Sequence, residues 1–179
     1  MESNPDNIAI GKILAGDTET YREIVGRHSG HVFSLVSGIV NNRQDAEEIT
    51  SDVFLKAFEQ LRKFRGDSKF STWLYRIAYN TAISHTRRRR HVTEDIDERR
   101  MENLTEDQEE ALLREARLEE LYEAMNRLPA NERSLLELFY MQDMSVDDIS
   151  AITDDTPGNI KVKLFRTRKK LAALIGQSI

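Results

Sequence analysis

Two stretches of this chain combine side chains in patterns suited to work on nucleic acid. From Phe64 to Arg90, the aromatics Phe64, Phe70, Trp73, Tyr75 and Tyr79 are mixed with basic residues. A phosphate needs a cation, and a base drawn out of its stack needs an aromatic or apolar surface with polar groups for its edge. Loop residues Phe64 and Ser68, ahead of a helix presenting Trp73, Ile77 and Asn80, can build such a pocket. Aromatics at helical spacing also form ordinary core, and Trp73 is the one best suited to packing alone. The second stretch follows Gly158, where Lys161, Lys163, Arg166, Arg168, Lys169 and Lys170 occur with no acid among them. On a helix in a major groove, such side chains donate to guanine O6 and N7.

The overall charge conceals both stretches. The formal net charge is −5, yet from Arg62 to Arg90 the only acid is Asp67, and the segment from Glu94 to Glu120 is heavily acidic. Two basic segments therefore flank an acidic spacer. Other chemistry finds little support. There is no cysteine, which excludes disulfides, thiolate zinc sites and cysteine nucleophiles. His28, His31, His85 and His91 do not combine with acids at a recognisable metal spacing, although His28 and His31 can share a helix face. No catalytic residue, metal or cofactor is expected, and a metal-dependent nuclease is the weaker reading. No apolar run approaches the ~18 residues of a membrane span, and Met1–Asp6 is polar and acidic, unlike a secretory signal. The expectation is a soluble cytoplasmic protein without membrane insertion.

The elements that must position these residues are helical. Only 39% of the 179 residues are apolar, 32% are charged, and Pro (3) and Gly (8) are scarce, which suits thin-cored helical units. A first helix ends before Gly16-Asp17, and a second runs from Tyr21 to Val40, its continuity weakened by Gly26 and Gly30. Asp45-Ala46-Glu47-Glu48 offers an N-cap and capping box. Behind it Ala46, Ile49, Val53, Phe54, Ala57, Phe58 and Leu61 recur at helical spacing. Ser71 is placed to cap a helix striped by Leu74, Ile77, Ala78 and Ala82. Residues 91 to 110 lack periodicity and read as a linker, and helical spacing resumes at Ala111 and stops before Pro129.

Ser145-Val146-Asp147-Asp148 is a second capping box, opening a short helix. Thr156 then caps a longer basic helix with Pro157 at its first position. Ile160, Leu164, Leu171 and Phe165 are expected to face inward. Short helix, turn, basic helix is the helix-turn-helix arrangement; a plain helical hairpin with a solvated basic face fits the same pattern. Asp154 and Asp155, in the turn, would oppose phosphates unless they point away.

The motifs together resemble a known family over nearly the whole chain. Asp45-Ala46-Glu47-Glu48-Ile49, Phe54-Leu55-Lys56-Ala57-Phe58, Phe64-Arg65-Gly66-Asp67-Ser68 and the run from Phe70 to Ala82 resemble region 2 of the extracytoplasmic-function (ECF) sigma factors. Leu128-Pro129, Asp148-Ile149-Ser150 and Gly158-Asn159-Ile160-Lys161 through Arg168 resemble region 4. The resemblance implies an all-α chain of two small helical domains. Region 2 would occupy residues 1–90 and a region 4 helix-turn-helix residues 113–179, with an acidic linker at 91–112 and no room for further domains.

The implied function is an alternative sigma factor, not an enzyme, that binds RNA polymerase core and directs promoter-specific initiation. Glu48 and Asp52, with Glu47 as a further candidate, would dock on the β′ clamp helices, while Ser51 stands where the family usually has Gln. Phe64, Ile77 and Asn80 would hold a flipped base of the minus-10 element. Lys161, Lys163 and Arg166 would read the minus-35 duplex, with Val162 where the family prefers Ser. Region 4 would meet the β flap. The linker, with Glu94, Asp95, Asp97 and Glu98, would either thread the RNA channel or serve as a solvated tether. An anti-sigma partner is also implied, landing in an apolar groove between the domains. A stand-alone helix-turn-helix regulator would explain the C-terminal half but leave the Phe64 to Asn80 pattern idle.

Overall fold

The computed structural model describes residues 4–40, 42–89 and 106–175. Among them every regular element is helical. Helix α1 (Pro5–Leu14) starts behind Asn4, whose side chain accepts the Asp6 N–H at 3.0 Å, and Pro5 fills a position where no N–H is missed. A turn at Gly16, with φ +111°, ends it. Helix α2 (Tyr21–Val40) runs unbroken through Gly26 and Gly30. Each glycine costs about 1 kcal/mol of helix propensity relative to Ala. Burial of Ile24, Val32, Leu35, Val36 and Ile39 along the helix offsets that cost.

Helix α3 (Arg43–Gln60) begins earlier than the sequence pattern suggests. Its cap is Asn42, in extended backbone, whose side chain accepts the Asp45 N–H at 3.0 Å. Asp45 instead sits in the first turn, where a carboxylate faces the positive end of the helix dipole. Ala46, Ile49, Val53, Phe54 and Ala57 are buried as the spacing predicts, whereas Phe58 is 40% exposed and lies edge-on to Tyr21. Helix α4 (Phe70–Arg89) likewise starts one residue before Ser71, so Ser71 lies in its first turn rather than at its cap. Phe70, Leu74, Ala78 and Ala82 are buried, and α4 packs on α2 and α3.

Helix α5 (Glu106–Asn126) starts five residues before Ala111, inside the acidic stretch. Glu and Gln are good helix formers, and acids in a first turn favour the dipole, so weak apolar periodicity did not prevent a helix there. Glu94, Asp95, Asp97 and Glu98 lie outside the described residues. Helix α6 (Ala130–Leu136) follows Pro129 and continues as a π turn over Glu137–Met141. Helix α7 (Val146–Thr153) is capped by Ser145, which accepts the Asp148 N–H at 3.1 Å. Helix α8 (Pro157–Ile175) has the Thr156 hydroxyl accepting the Asn159 N–H at 3.3 Å. Between α7 and α8, Asp154 takes left-handed backbone with φ 58°.

The two helical halves pack on one another. The α6 helix and its π turn lie against α2, and α7 lies against α4. At the first contact Arg133, 4% exposed, donates to the carbonyls of Gly38 and Ile39 near the end of α2, the latter at 2.6 Å. The Ser34 hydroxyl donates to Glu137 at 2.6 Å. A Cβ at Gly38 would stand 3.2 Å from the Glu137 Cγ, so a glycine there lets that side chain lie against the helix. At the second contact the Thr72 hydroxyl donates to Asp148 at 3.1 Å. Among the described residues, no helix is long and apolar enough to cross a membrane.

Candidate nucleic-acid interface

Phe64 follows a short 3-10 turn at Leu61–Lys63 that ends α3, and it is half-buried. Its ring meets Phe70 edge-on at 5.5 Å and Trp73 at 5.5 Å. Phe70 is the fully buried member of this trio and Trp73 is partly exposed. Trp73 therefore both packs and reaches the surface. At about 100° per residue, Trp73, Ile77 and Asn80 fall within about 60° of each other on α4. Ile77 is half-buried and Asn80 exposed. The three expected pocket residues thus lie along one surface: an aromatic base at Phe64 and Trp73, then Ile77, then an amide. Arg76 and Arg87 are exposed at the edge of the same face. Gly66, with φ +78°, turns the loop that leads into this helix.

The opposite flank of α4 meets the C-terminal half. Thr72 is buried against Asp148, and the Tyr75 hydroxyl lies 3.4 Å from the Gln142 side-chain oxygen. Burial pushes the Tyr75 phenol up to about 12 and raises that of Tyr79. The Arg76 guanidinium donates to Asp154 at 2.6 Å.

On α8, Ile160, Leu164 and Thr167 form the buried stripe. Helix geometry places Val162, Arg166 and Lys169 on the face opposite it, with Lys161 and Lys163 on the two flanks. All five are exposed. The expected trio is therefore split: Lys163 and Arg166 are neighbours, while Lys161 lies across the helix. Lys163 is ion-paired to Asp155, which also accepts from Asn159 at 3.0 Å. These two hydrogen bonds, Lys163 first, hold the Asp155 carboxyl below its usual range. Phe165 does not face inward as expected. It is 52% exposed, one residue past the edge of the buried stripe, with the Lys169 ammonium 4.8 Å from its ring centre.

Glu48 and Asp52 lie four residues apart on the exposed side of α3, so one turn of helix separates them. Among the described residues neither is engaged in an ion pair, whereas Glu47 is held by Arg43 at 3.0 Å. No group of three or more potential metal-binding side chains occurs among the described residues.

Residues 24–92 match the family model for sigma-70 region 2, and residues 118–171 match that for sigma-70 region 4. The ECF RNA polymerase sigma-E factor of Escherichia coli is 31% identical over 95% of this chain and 94% of its own length. The chain belongs to the ECF sigma factors. The RNA polymerase sigma-H factor of Pseudomonas aeruginosa is 29% identical over 96% of this chain and 94% of its own length. Two solved structures share the fold. CnrH, in complex with the cytosolic domain of CnrY, gives a TM-score of 0.71 at 22% identity, covering 98% of this chain and all of its own. The sigma factor RpoE of Bartonella quintana, in complex with the anti-sigma factor NepR, gives 0.69 at 21%, covering 87% and 96%.

As an ECF sigma factor the protein is a transcription-initiation factor and not an enzyme. Sequence reasoning about this sigma factor missed the outward placement of Val162. Counting at about 100° per residue from the buried Ile160 and Leu164 would have found it. It also missed Arg133 and Glu137, whose charges gave no hint of burial. Their spacing of four on a mostly apolar segment was the one available signal.

Proposed function

We propose that this sigma factor reads a promoter with two separate surfaces while bound to RNA polymerase core. In this reading residues 1–90 act as region 2 and residues 113–179 as region 4, with 91–112 as the acidic connection. Glu48 and Asp52 dock on the β′ clamp helices, and region 4 meets the β flap. Phe64, Ile77 and Asn80 hold one flipped base of the minus-10 element. On α8, Arg166 donates to a base edge in the minus-35 major groove, while Lys161 and Lys163, on opposite flanks, take the phosphates on either side. Val162, facing outward among these cations, suits a thymine methyl. An anti-sigma factor is the expected antagonist, as CnrH and RpoE each have a partner in their solved complexes. The expected compartment is the cytoplasm.

One observation supports this reading best. An aromatic surface with an adjoining free amide lies on α4, and an exposed cationic face lies on α8 at the other end of the chain. Opening a base step costs a few kcal/mol, and stacking returns about 1–3 kcal/mol. Neither surface suffices alone, and holding both on one large enzyme raises their effective concentration.

Transcription reconstituted from core polymerase and this chain on a genomic promoter library tests the reading. Initiation should appear at a small set of promoters sharing upstream and downstream elements about one to two helical turns apart. Failure to bind core, or promoter recognition that survives deletion of residues 1–90, would refute it and favour a stand-alone regulator.

A further inference from the structure

The aromatic base of the proposed minus-10 pocket rests on a residue that the pocket itself does not include. Phe70 is fully buried, with its ring centre 5.5 Å from that of Phe64 and 5.6 Å from that of Trp73. The same ring meets the His28 imidazole of α2 edge-on at 5.6 Å. His28 is almost enclosed, with 12% of its side chain exposed, and its Nε2 lies 2.9 Å from Oδ2 of the buried Asp6. Oδ1 of Asp6 accepts the Arg27 Nε–H at 3.0 Å. A carboxylate shared in this way accepts at Oδ2 as well, so Nε2 is the nitrogen of His28 that carries a proton, and that bond fixes the orientation of the ring.

Asp6 belongs to α1, and the matched region 2 begins at residue 24, so this helix lies outside the matched segment. Its packing still directs it toward the pocket. Helix α1 lies against α2 and against the 3-10 turn at Leu61–Lys63, the residues just before Phe64. The Asn4 cap and Pro5 hold the first turn, where Asp6 stands. Seating α1 needs no histidine, because Ala9, Ile10 and Ile13 are buried along it and Arg27 already satisfies one oxygen of Asp6. His28 adds a directional bond at one ring atom and an aromatic contact on Phe70.

We propose that Asp6 and His28 are positioning residues for promoter opening. Asp6 orients the His28 imidazole, the imidazole fixes the Phe70 ring, and Phe70 sets the surface that Phe64 and Trp73 offer to the flipped base. The proposal rests on the assignment of that surface to the minus-10 base. A base gains most from stacking on a surface already in place. A ring left free to turn must be ordered as the base arrives, and ordering one side chain weakens binding about fivefold.

Trp73 is the only tryptophan of the chain, so its emission reports on the trio without any DNA. The test uses the full-length protein, free and in holoenzyme. His28→Gln keeps an amide donor toward Asp6 but removes the ring on Phe70. Asp6→Asn keeps the size of the side chain but leaves one oxygen for two donors. Both variants should shift Trp73 emission to the red and make it more open to acrylamide quenching. In holoenzyme, on a promoter recovered from the genomic library, both should lower permanganate reactivity of the minus-10 thymines about fivefold. Competition for core polymerase and helix content should stay unchanged. Should His28→Gln melt early, Asp6→Asn creates no cavity and carries the test alone.

Arg27→Gln removes the other donor on Asp6 and separates positioning from anchoring. Its Trp73 emission and promoter opening should match the unmodified protein, whereas a role limited to seating α1 would make it behave as His28→Gln does. Unchanged Trp73 emission in both the His28 and Asp6 variants would overturn the linkage. Core docking that falls in step with opening would also overturn it, reducing both residues to general stability. Changed emission with normal opening refutes the positioning role when Phe64→Ala opens poorly. If Phe64→Ala also opens normally, the assignment of the pocket has failed and the positioning role falls with it.

Discussion

Replacing Asn80 by Ala separates reading a base from building the fold. Asn80 is exposed in the middle of α4, and its side chain makes no hydrogen bond among the described residues. Ala is the better helix former, so stability should change by no more than about 0.5 kcal/mol, and in the favourable direction. In the proposed open complex the amide bonds the edge of the flipped base, and losing one neutral hydrogen bond costs about 1 kcal/mol. Open-complex formation should therefore fall about fivefold. Phe64→Ala makes the contrast. Its ring contacts Phe70 and Trp73, each at 5.5 Å, and aromatic pairs contribute about 0.5–1.5 kcal/mol each. This variant should lose about 2 kcal/mol of stability, in addition to about 1–3 kcal/mol of stacking on the base. Permanganate reactivity of promoter thymines measures opening, competition for core polymerase measures docking, and thermal melting measures stability. An Asn80→Ala protein that docks as poorly as it opens, or that opens normally, would remove Asn80 from the pocket.

Reversing the acids of α3 with Glu48→Lys and Asp52→Lys should weaken core binding about tenfold or more, while melting stays within about 0.5 kcal/mol because both residues are exposed. Core affinity that stays within about twofold would place the dock elsewhere. Burial raises the phenols of Tyr21 and Tyr75 to about 12, above the ordinary value near 10. A raised folded-state value means that the stability tied to these groups is full below about pH 10 and is lost as pH rises toward 12. Phenolate absorbance should accordingly climb in two waves, the later one coinciding with loss of helix. A single wave near pH 10 with helix intact would contradict the burial of both rings.

The helical class was legible because burial follows the apolar stripes closely. Ala46, Ile49, Val53 and Ala57 on α3, and Ile160 and Leu164 on α8, are buried where spacing puts them. The capping box at Ser145 formed as read, because Ser145 and Asp148 need only local geometry to bond. Boundaries were less legible. Asn42 rather than Asp45 caps α3, since several polar residues in a row can each serve and tertiary packing selects one. The stretch from Glu106 hid a helix because acids encode helix propensity without an apolar stripe. Ile77 and Asn80 could be placed on one face of α4 from spacing alone, whereas Phe64 precedes the helix and its place beside Trp73 needed the structure. The division of Lys161 from Lys163 and Arg166 required counting from the buried stripe, which a tally of charges does not do. Arg133 was illegible for a deeper reason: a buried cation is identified by its acceptors, and these are backbone carbonyls on a helix nearly a hundred residues earlier, which no side-chain pattern announces.

The contacts between the halves combine polar bonds with a shared apolar core, and both bear on what holds the halves together. Ser34 on Glu137, Thr72 on Asp148 and the approach of His31 and Tyr75 to Gln142 all exchange readily for water, so parting them forfeits about 0.5–1.5 kcal/mol each rather than a full desolvation penalty. Ile39 and Leu74 from one half and Leu135, Leu138 and Ile149 from the other belong to one buried apolar cluster, so these polar bonds are not all that holds the halves together. Arg133 differs because it is buried, and burial depresses its guanidinium to about 10. That shift records a cost of keeping the cation away from water. Arg133 is thus held by hydrogen bonds and opposed by desolvation, so it contributes less to the packing of α6 on α2 than its burial alone would suggest.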